Sequence, residues 1–314
     1  MVKKNNNELY KIDEYKTNLN ERDLAQIRQG VMTNQLTKIV ANKDNTKLDV
    51  FTGISIYQKN QDFQLNFINT DFSQVRGYTA TTSILLDILI YKLTQTGANS
   101  PTITITLDEF MRLRGLKNKK EARKQINADL ETLFNCRVSF SDTTSGKYKN
   151  YLDIHILDSK GIKNSIITAT LGSSFYMLIK NYPLMLMPLN IFALDLKTNP
   201  HSYYISRKLS EHLRMNLNKP SENIISVRAL VESCPLLPTY DEVSQAGRQV
   251  NQRIIQPFIR DLTELEDYFK WEFCNAKGKP LTPEQIELSD YDTFINLYIQ
   301  FEWKKGLITT LKKS

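Results

Sequence analysis

An α+β fold is what this sequence predicts, and three repeated observations predict it. An apolar helix stripe occurs at Leu85, Leu89 and Leu93, and again at Ile205, Leu209 and Leu213. A short β-type stretch that turns into a helix follows each stripe, at Ile103 to Met111 and at Ile224 to Val231. A polar helix and two alternating strands around a polar turn then close each copy. The order helix, strand, helix, helix, hairpin is that of a winged helix. The chain therefore reads as two winged-helix domains in tandem, related by an internal pseudo-repeat. The first copy runs from about Thr82 to Leu157 and the second from about Ser202 to Phe301.

With 314 residues the chain holds two domains of ordinary size. Residues 1–50 read as a polar N-terminal arm and 51–160 as the first winged-helix domain. Residues 161–198 read as a packed connector and 199–314 as the second domain. Lys plus Arg number 41 against 34 for Asp plus Glu, so 41 − 34 = +7. That excess is moderate, and the distribution of the cations decides whether the partner is a polyanion. No run approaches the length of a membrane span; the most apolar stretch, Ser83 to Leu93, contains Asp87. The first residues lack the apolar segment of a signal peptide. Cys136, Cys234 and Cys274 are widely spaced and odd in number, which fits buried thiols in a reducing cytoplasm.

Along the chain, Glu21 to Val31 could form a helix with Leu24, Ile27 and Val31 on one side. Residues 54 to 69 alternate and read as a hairpin. Thr79 to Ser83 offers N-cap candidates for the first apolar helix. A basic helix spans roughly Lys119 to Phe134, with Ala122, Ile126, Leu130 and Leu133 inward. Arg137 to Ser141 and Leu152 to Leu157 alternate on either side of a turn at Asp142 to Asn150, the expected wing. In the connector, Ile166 to Leu171 reads as a strand and Ser173 to Lys180 as a helix. Phe175, Tyr176, Leu184, Leu186 and Ile191 are expected to pack the two units into one body. The second unit has a long helix, about Asp241 to Leu265, that Pro257 should interrupt. Its apolar positions include Ile255, Ile259 and Leu262. Tyr268 to Phe273, a turn at Asn275 to Pro280, and a return at Phe294 to Trp303 form the second wing, with an acidic insertion at Pro283 to Asp290.

The two polar helices differ in chemistry. From Arg112 to Lys124 the chain carries seven cations against the single acid Glu121. The inward residues leave Lys120, Arg123, Lys124 and Asn127 outward, with Lys117 and Lys119 at the start and Lys147 and Lys149 at the wing tip. Lysines are flexible point charges suited to phosphates and carry little base information. Most such runs are solvated helix faces; this one falls on the helix that a winged helix lays on DNA. In the second unit Val243, Val250 and Ile254 inward leave Gln245, Arg248, Gln249, Gln252 and Arg253 outward. Arginine forks match guanine and amides match adenine in the major groove. Lys277 and Lys279 on the second wing add phosphate contacts. The first unit is thus expected to hold the backbone and the second to choose the sequence.

Nothing points to catalysis, a cofactor or a metal. No phosphate-binding Gly-x-x-x-x-Gly-Lys loop is present. His155, His201 and His212 have no Cys, Asp or second His at metal-ligand spacing. Tyr203 and Tyr204 lie beside the Ile205 stripe and read as core, not as a nicking nucleophile.

The pattern resembles the replication initiator proteins of theta-replicating plasmids, which are tandem winged-helix proteins. The resemblance is clearest in Thr106-Leu-Asp-Glu-Phe-Met-Arg-Leu-Arg-Gly115 with the basic helix after it, and in Tyr240 to Asp267. It covers roughly residues 55 to 303. It implies binding of directly repeated double-stranded DNA sites at an origin, opening of adjacent AT-rich DNA, and recruitment of a host replicative helicase or its loader. Some members of that family also dimerise through the first unit and repress their own promoter, which makes a homodimer an expectation here; the lack of a membrane-length apolar run leaves no membrane expected as a partner. A winged-helix transcriptional repressor is the nearest alternative. A non-enzymatic scaffold or helicase-loader interaction protein is the alternative from another class.

Overall fold

The computed structural model describes residues 24–38, 46–49, 53–57, 63–67, 79–142, 150–246, 249–282, 285–286 and 290–303. The described residues open with β1 (Leu24–Arg28), α1 (Val31–Lys38), β2 (Thr46–Asp49), β3 (Gly53–Tyr57) and β4 (Phe63–Phe67). The first repeat then supplies α2 (Ala80–Gln95), β5 (Thr102–Thr106), α3 (Leu107–Leu113) and α4 (Lys119–Asn135). It continues through β6 (Cys136–Asp142), β7 (Asn150–His155), β8 (Leu157–Lys163) and β9 (Ile166–Leu171). α5 (Ser173–Lys180) and β10 (Leu184–Pro188) lead to the second repeat. That repeat comprises α6 (Ser202–Asn216), β11 (Ile224–Ser226), α7 (Val227–Val231), α8 (Tyr240–Gln245), α9 (Gln256–Thr263), β12 (Phe269–Cys274), α10 (Tyr291–Ile295) and β13 (Tyr298–Trp303). The fold is mixed helix and sheet, as expected.

The two repeats share a sheet of one topology. In each, the first strand pairs with the last, and the last with the middle one: β5-β9-β8 and β11-β13-β12. Their first strands enter a helix in the same way. Thr106 accepts a bond from the Glu109 N–H and Ser226 from the Ala229 N–H, each capping the helix that follows. The next backbone N–H, Leu107 or Val227, donates to the residue just before the last strand, Ser165 at 2.7 Å or Leu297 at 2.9 Å. Leu107 and Phe110 are buried in one repeat, Val227 and Leu230 in the other.

The apolar stripes lie where their spacing places them. Leu85, Leu89, Leu93, Ile205 and Leu209 are buried, with Leu213 packed at the margin. Tyr203, Tyr204 and the three cysteines are buried, and the cysteines are unpaired. Burial pushes the Cys136, Cys234 and Cys274 thiols up. One continuous core spans both repeats. At its centre Asp87 of α2 meets Arg207 of α6, with side chains only 1% and 5% exposed. Arg207 donates from Nε to Asp87 Oδ2 at 2.9 Å and from Nη2 to Oδ1 at 3.1 Å. The Tyr203 hydroxyl donates to Asp87 Oδ2 at 2.7 Å.

Five expectations need correction. The hairpin β6–β7 forms, yet it is not the wing of the β5 sheet. β6 also pairs with β4, so the hairpin extends the sheet β2-β3-β4-β6-β7. The edge of β5 is taken by β9, and β8–β9, assigned to the end of the first domain and to the connector, is the hairpin that completes it. The chain crosses between the two sheets near Ile156, where Gly172 donates to the Ile156 carbonyl. A Cβ at Gly172 would overlap the His155 carbonyl oxygen, which accounts for glycine there.

Leu24 to Arg28 is a strand, not part of a helix. It pairs with β10, and Arg28 Nη1 donates to the Lys180 carbonyl at 2.7 Å. In β10 the buried side chains are Met185 and Met187, while Leu184 and Leu186 on the opposite face are half-buried. A period of two fixes which set faces inward once β1 sets the register. The expected long helix breaks after Gln245, not at Pro257. Helical turns resume at Val250 and pass through a π-turn, Asn251–Ile255, where the Gln256 N–H bonds to the Asn251 carbonyl. The wider turn accommodates a proline that has no N–H to offer Arg253. Phe294 is a buried residue of α10, and the returning strand begins at Tyr298.

Truncating Arg207 leaves Asp87 as an unpaired buried charge. Arg207→Ala is expected to lower stability by about 3–5 kcal/mol, read from urea unfolding. Arg207→Lys should recover little of it, because an ammonium cannot reproduce the two-pronged contact.

Candidate nucleic-acid interface

The first surface is built on α4. Asn118 caps it, accepting from the N–H groups of Lys120 at 3.0 Å and Glu121 at 3.3 Å. Ala122, Ile126, Leu130 and Leu133 are buried on its inner face. Lys119, Lys120, Arg123, Lys124 and Asn127 are exposed on the outer face, and Lys117 is exposed just before it. Asp129, also inward, accepts from the hydroxyls of Thr81 at 2.8 Å and Thr82 at 2.9 Å. That contact pins α4 to the start of α2. Burial pushes the Asp129 carboxyl up, opposed by these hydroxyl bonds.

The β8–β9 hairpin stands beside this helix. Asn164 and Ser165, with φ of 51° and 63°, form its two-residue turn. Arg123 Nη2 donates to Ser165 Oγ at 2.9 Å, tying helix to hairpin. Lys163 is exposed at the tip. Lys160 pairs with Glu131 and lies 5.2 Å over the Phe134 ring, so it faces the protein. Lys119 has the exposed Asp108 at 3.2 Å, a pair that solvent screens. Arg114, one cation of the run, belongs to no outer face. It is buried and its guanidinium donates to the Phe192 carbonyl.

The second surface is assembled from α8 and the turns leading into α9. Val243 and Ile254 are buried as their spacing requires, and Val250 is half-buried. Gln245, Gln249, Gln252 and Arg253 are exposed together with Gln256 and Arg260. Two contacts besides the apolar packing steady this region. Tyr240 of α8 stacks on Tyr291 of α10 with centroids 4.6 Å apart. Asp261 of α9 accepts the His201 backbone N–H at 2.6 Å, and its backbone carbonyl accepts the Ser202 hydroxyl at 2.9 Å. Lys277 and Lys279 are exposed on the β12 turn, where both of their N–H groups donate to Asn275 Oδ1. Gly278 turns the chain at φ 76°.

Arg248, Lys147 and Lys149 lie outside the described residues. Lys163, Gln256 and Arg260 share these exposed faces and were not singled out from the sequence. The signal for Lys163 was present: Asn tolerates the left-handed conformation, so Lys-Asn-Ser between alternating stretches can turn a hairpin. Among the described residues no three His, Cys, Asp or Glu side chains are grouped to hold a metal ion. Burial of Tyr203 and Tyr204 removes both hydroxyls from attack on a phosphodiester. No helix among the described residues is long and apolar enough to cross a membrane.

No protein-family model matches the chain, and no curated protein matches its sequence. Its structure is similar to that of domains 2 and 3 of RctB. For one crystal structure of them the TM-score is 0.46 at 11% identity, over 86% of this chain and 96% of that one. A selenomethionine derivative of the same domains gives 0.47 at 11% identity, over 86% and 98%. The Pi initiator protein, crystallised in complex with iteron DNA, gives 0.48 at 10% identity, over 91% and 98%.

His201 supplies a pH dependence at the base of the second surface. Burial pushes its imidazole down to about 4 from 6.5, against the attraction of Asp261. Between those values the unfolded chain binds the extra proton, so stability present above pH 6.5 is lost as pH falls towards 4. The loss amounts to about 3 kcal/mol at most. Urea unfolding at pH 7, 5.5 and 4.5 should show a shallower fall for His201→Gln than for the wild type.

Proposed function

We propose that this chain is a non-enzymatic replication initiator built on two tandem winged-helix units. It binds repeated duplex sites at an origin, promotes opening of the adjacent DNA and recruits the replicative helicase or its loader. One observation carries the duplex-binding part. In two sheets of identical strand order, a polar helical segment lies between the first strand and the closing pair, and its outer face is exposed and unlike the other in chemistry. The resemblance of Thr106 to Gly115 and of Tyr240 to Asp267 to plasmid initiators supports the origin-specific part.

The division of labour follows from the side chains. Lys117, Lys119, Lys120, Arg123, Lys124 and Asn127 form a surface suited to phosphates, and Lys163 on the β8–β9 tip extends it. Gln245, Gln249, Gln252 and Arg253, with Arg248 between them in sequence, read base edges. Lys277 and Lys279 hold the backbone beside them.

Lys120→Ala with Lys124→Ala should weaken binding to specific and random duplexes alike. It should lower the salt slope by roughly one per lost contact, measured by mobility shift across a salt series. Arg248→Ala with Gln249→Ala should instead reduce the preference for the specific site, by about 1–3 kcal/mol per lost bidentate contact, with a nearly unchanged salt slope. Equal behaviour of the two double variants would refute the division of labour. A plasmid deprived of its own initiator should replicate when this chain and its cognate repeats are supplied. Binding and promoter silencing without replication would assign the protein to repression instead.

A further inference from the structure

The junction between the repeats uses charge where apolar packing would hold as well. Asp87 belongs to the first helix of one repeat, and Arg207 and Tyr203 to the first helix of the other. A buried ion pair is commonly no more stabilising than well-packed apolar residues of similar volume. What the fork contributes is direction: two parallel bonds to one carboxylate fix both distance and angle. A third segment enforces the same geometry. Asn34 of α1 accepts from Arg207 Nη1 at 3.2 Å and donates to Glu211, one turn along α6. Gln29, buried just after β1, donates to the same Asn34 oxygen. Lys208 completes the chain by pairing with Glu211 at 3.0 Å.

The geometry has leverage. A unit of about 100 residues has a radius of gyration of about 13 Å, so its far surface lies on the order of 20 Å from such a junction. A rotation of roughly 10° there displaces that surface by about 3.5 Å, which is one base-pair step.

We infer that Asp87, Arg207, Tyr203 and Asn34 are positioning residues that set the angle between the two binding surfaces, and thereby the spacing between half-sites that the protein accepts. Resting on the duplex binding proposed above, the angle is a specificity determinant at base pairs no side chain need touch.

The test uses the full chain. A bound two-part site is selected from a random duplex pool, and one base pair is then inserted or removed between its halves. The wild type should lose about tenfold or more in affinity at either altered spacing, because both surfaces no longer engage together. Tyr203→Phe keeps the ring and removes one bond to Asp87; Asn34→Ala removes the outer support of Arg207. Both should accept the altered spacings with a loss below about threefold, while the bases chosen within each half stay the same. If Tyr203→Phe fails to fold, Asn34→Ala, which leaves every bond to the Asp87 carboxylate in place, carries the measurement. Variants that keep the wild-type spacing penalty would overturn the inference and leave duplex binding intact. A wild type that selects no two-part duplex would overturn duplex binding itself.

Discussion

The structure depends on the contact between Asp87 and Arg207 at its centre. Neither group survives alone in that environment, since an isolated charge removed from water costs several kcal/mol. Each repeat therefore supplies the partner that makes the other's buried charge tolerable. The surrounding apolar contacts come from both repeats and from the segment joining them, so a single core replaces two separate ones. Units joined only by a small polar interface move against one another; a shared apolar core with a fixed ion pair inside it opposes that motion.

The repetition of architecture does not extend to the surfaces. The inner faces of α4 and of the helical segment from Val250 to Thr263 obey one rule, apolar residues recurring every three or four positions. Their outer faces diverge into lysine on one and amide and arginine on the other. Packing constrains the inner set tightly, because core volume is felt at the level of single methylenes. Exposed residues are under no such constraint, so two copies of one strand order can carry two chemistries.

Much of this was legible in the sequence where the signal is local. The inward set Ala122, Ile126, Leu130 and Leu133 follows from a period of 3.6 within one helix, and the exposed lysines follow from the same geometry. The β3–β4 and β6–β7 hairpins follow from alternation around a turn. What was not legible is which sheet each hairpin joins. β6 pairs with β4 about seventy residues earlier and β9 with β5 about sixty earlier, and neither choice leaves a mark in a short window. Arg114, counted with the basic run, is buried for a related reason. A cation within a basic run looks like its neighbours until the chain bends and the Phe192 carbonyl receives it. The π-turn at Asn251–Ile255 is a compromise between proline chemistry and packing on both sides, and a linear pattern displays only the first.

The three buried thiols have a practical consequence. With each proton held more tightly than in a free cysteine, little thiolate is present near neutral pH, and electrophilic reagents need that form. Native Cys136, Cys234 and Cys274 thus make a silent background. A single cysteine placed on an exposed helix position would take a fluorophore or a crosslinker selectively, without first stripping the molecule of its own sulfur.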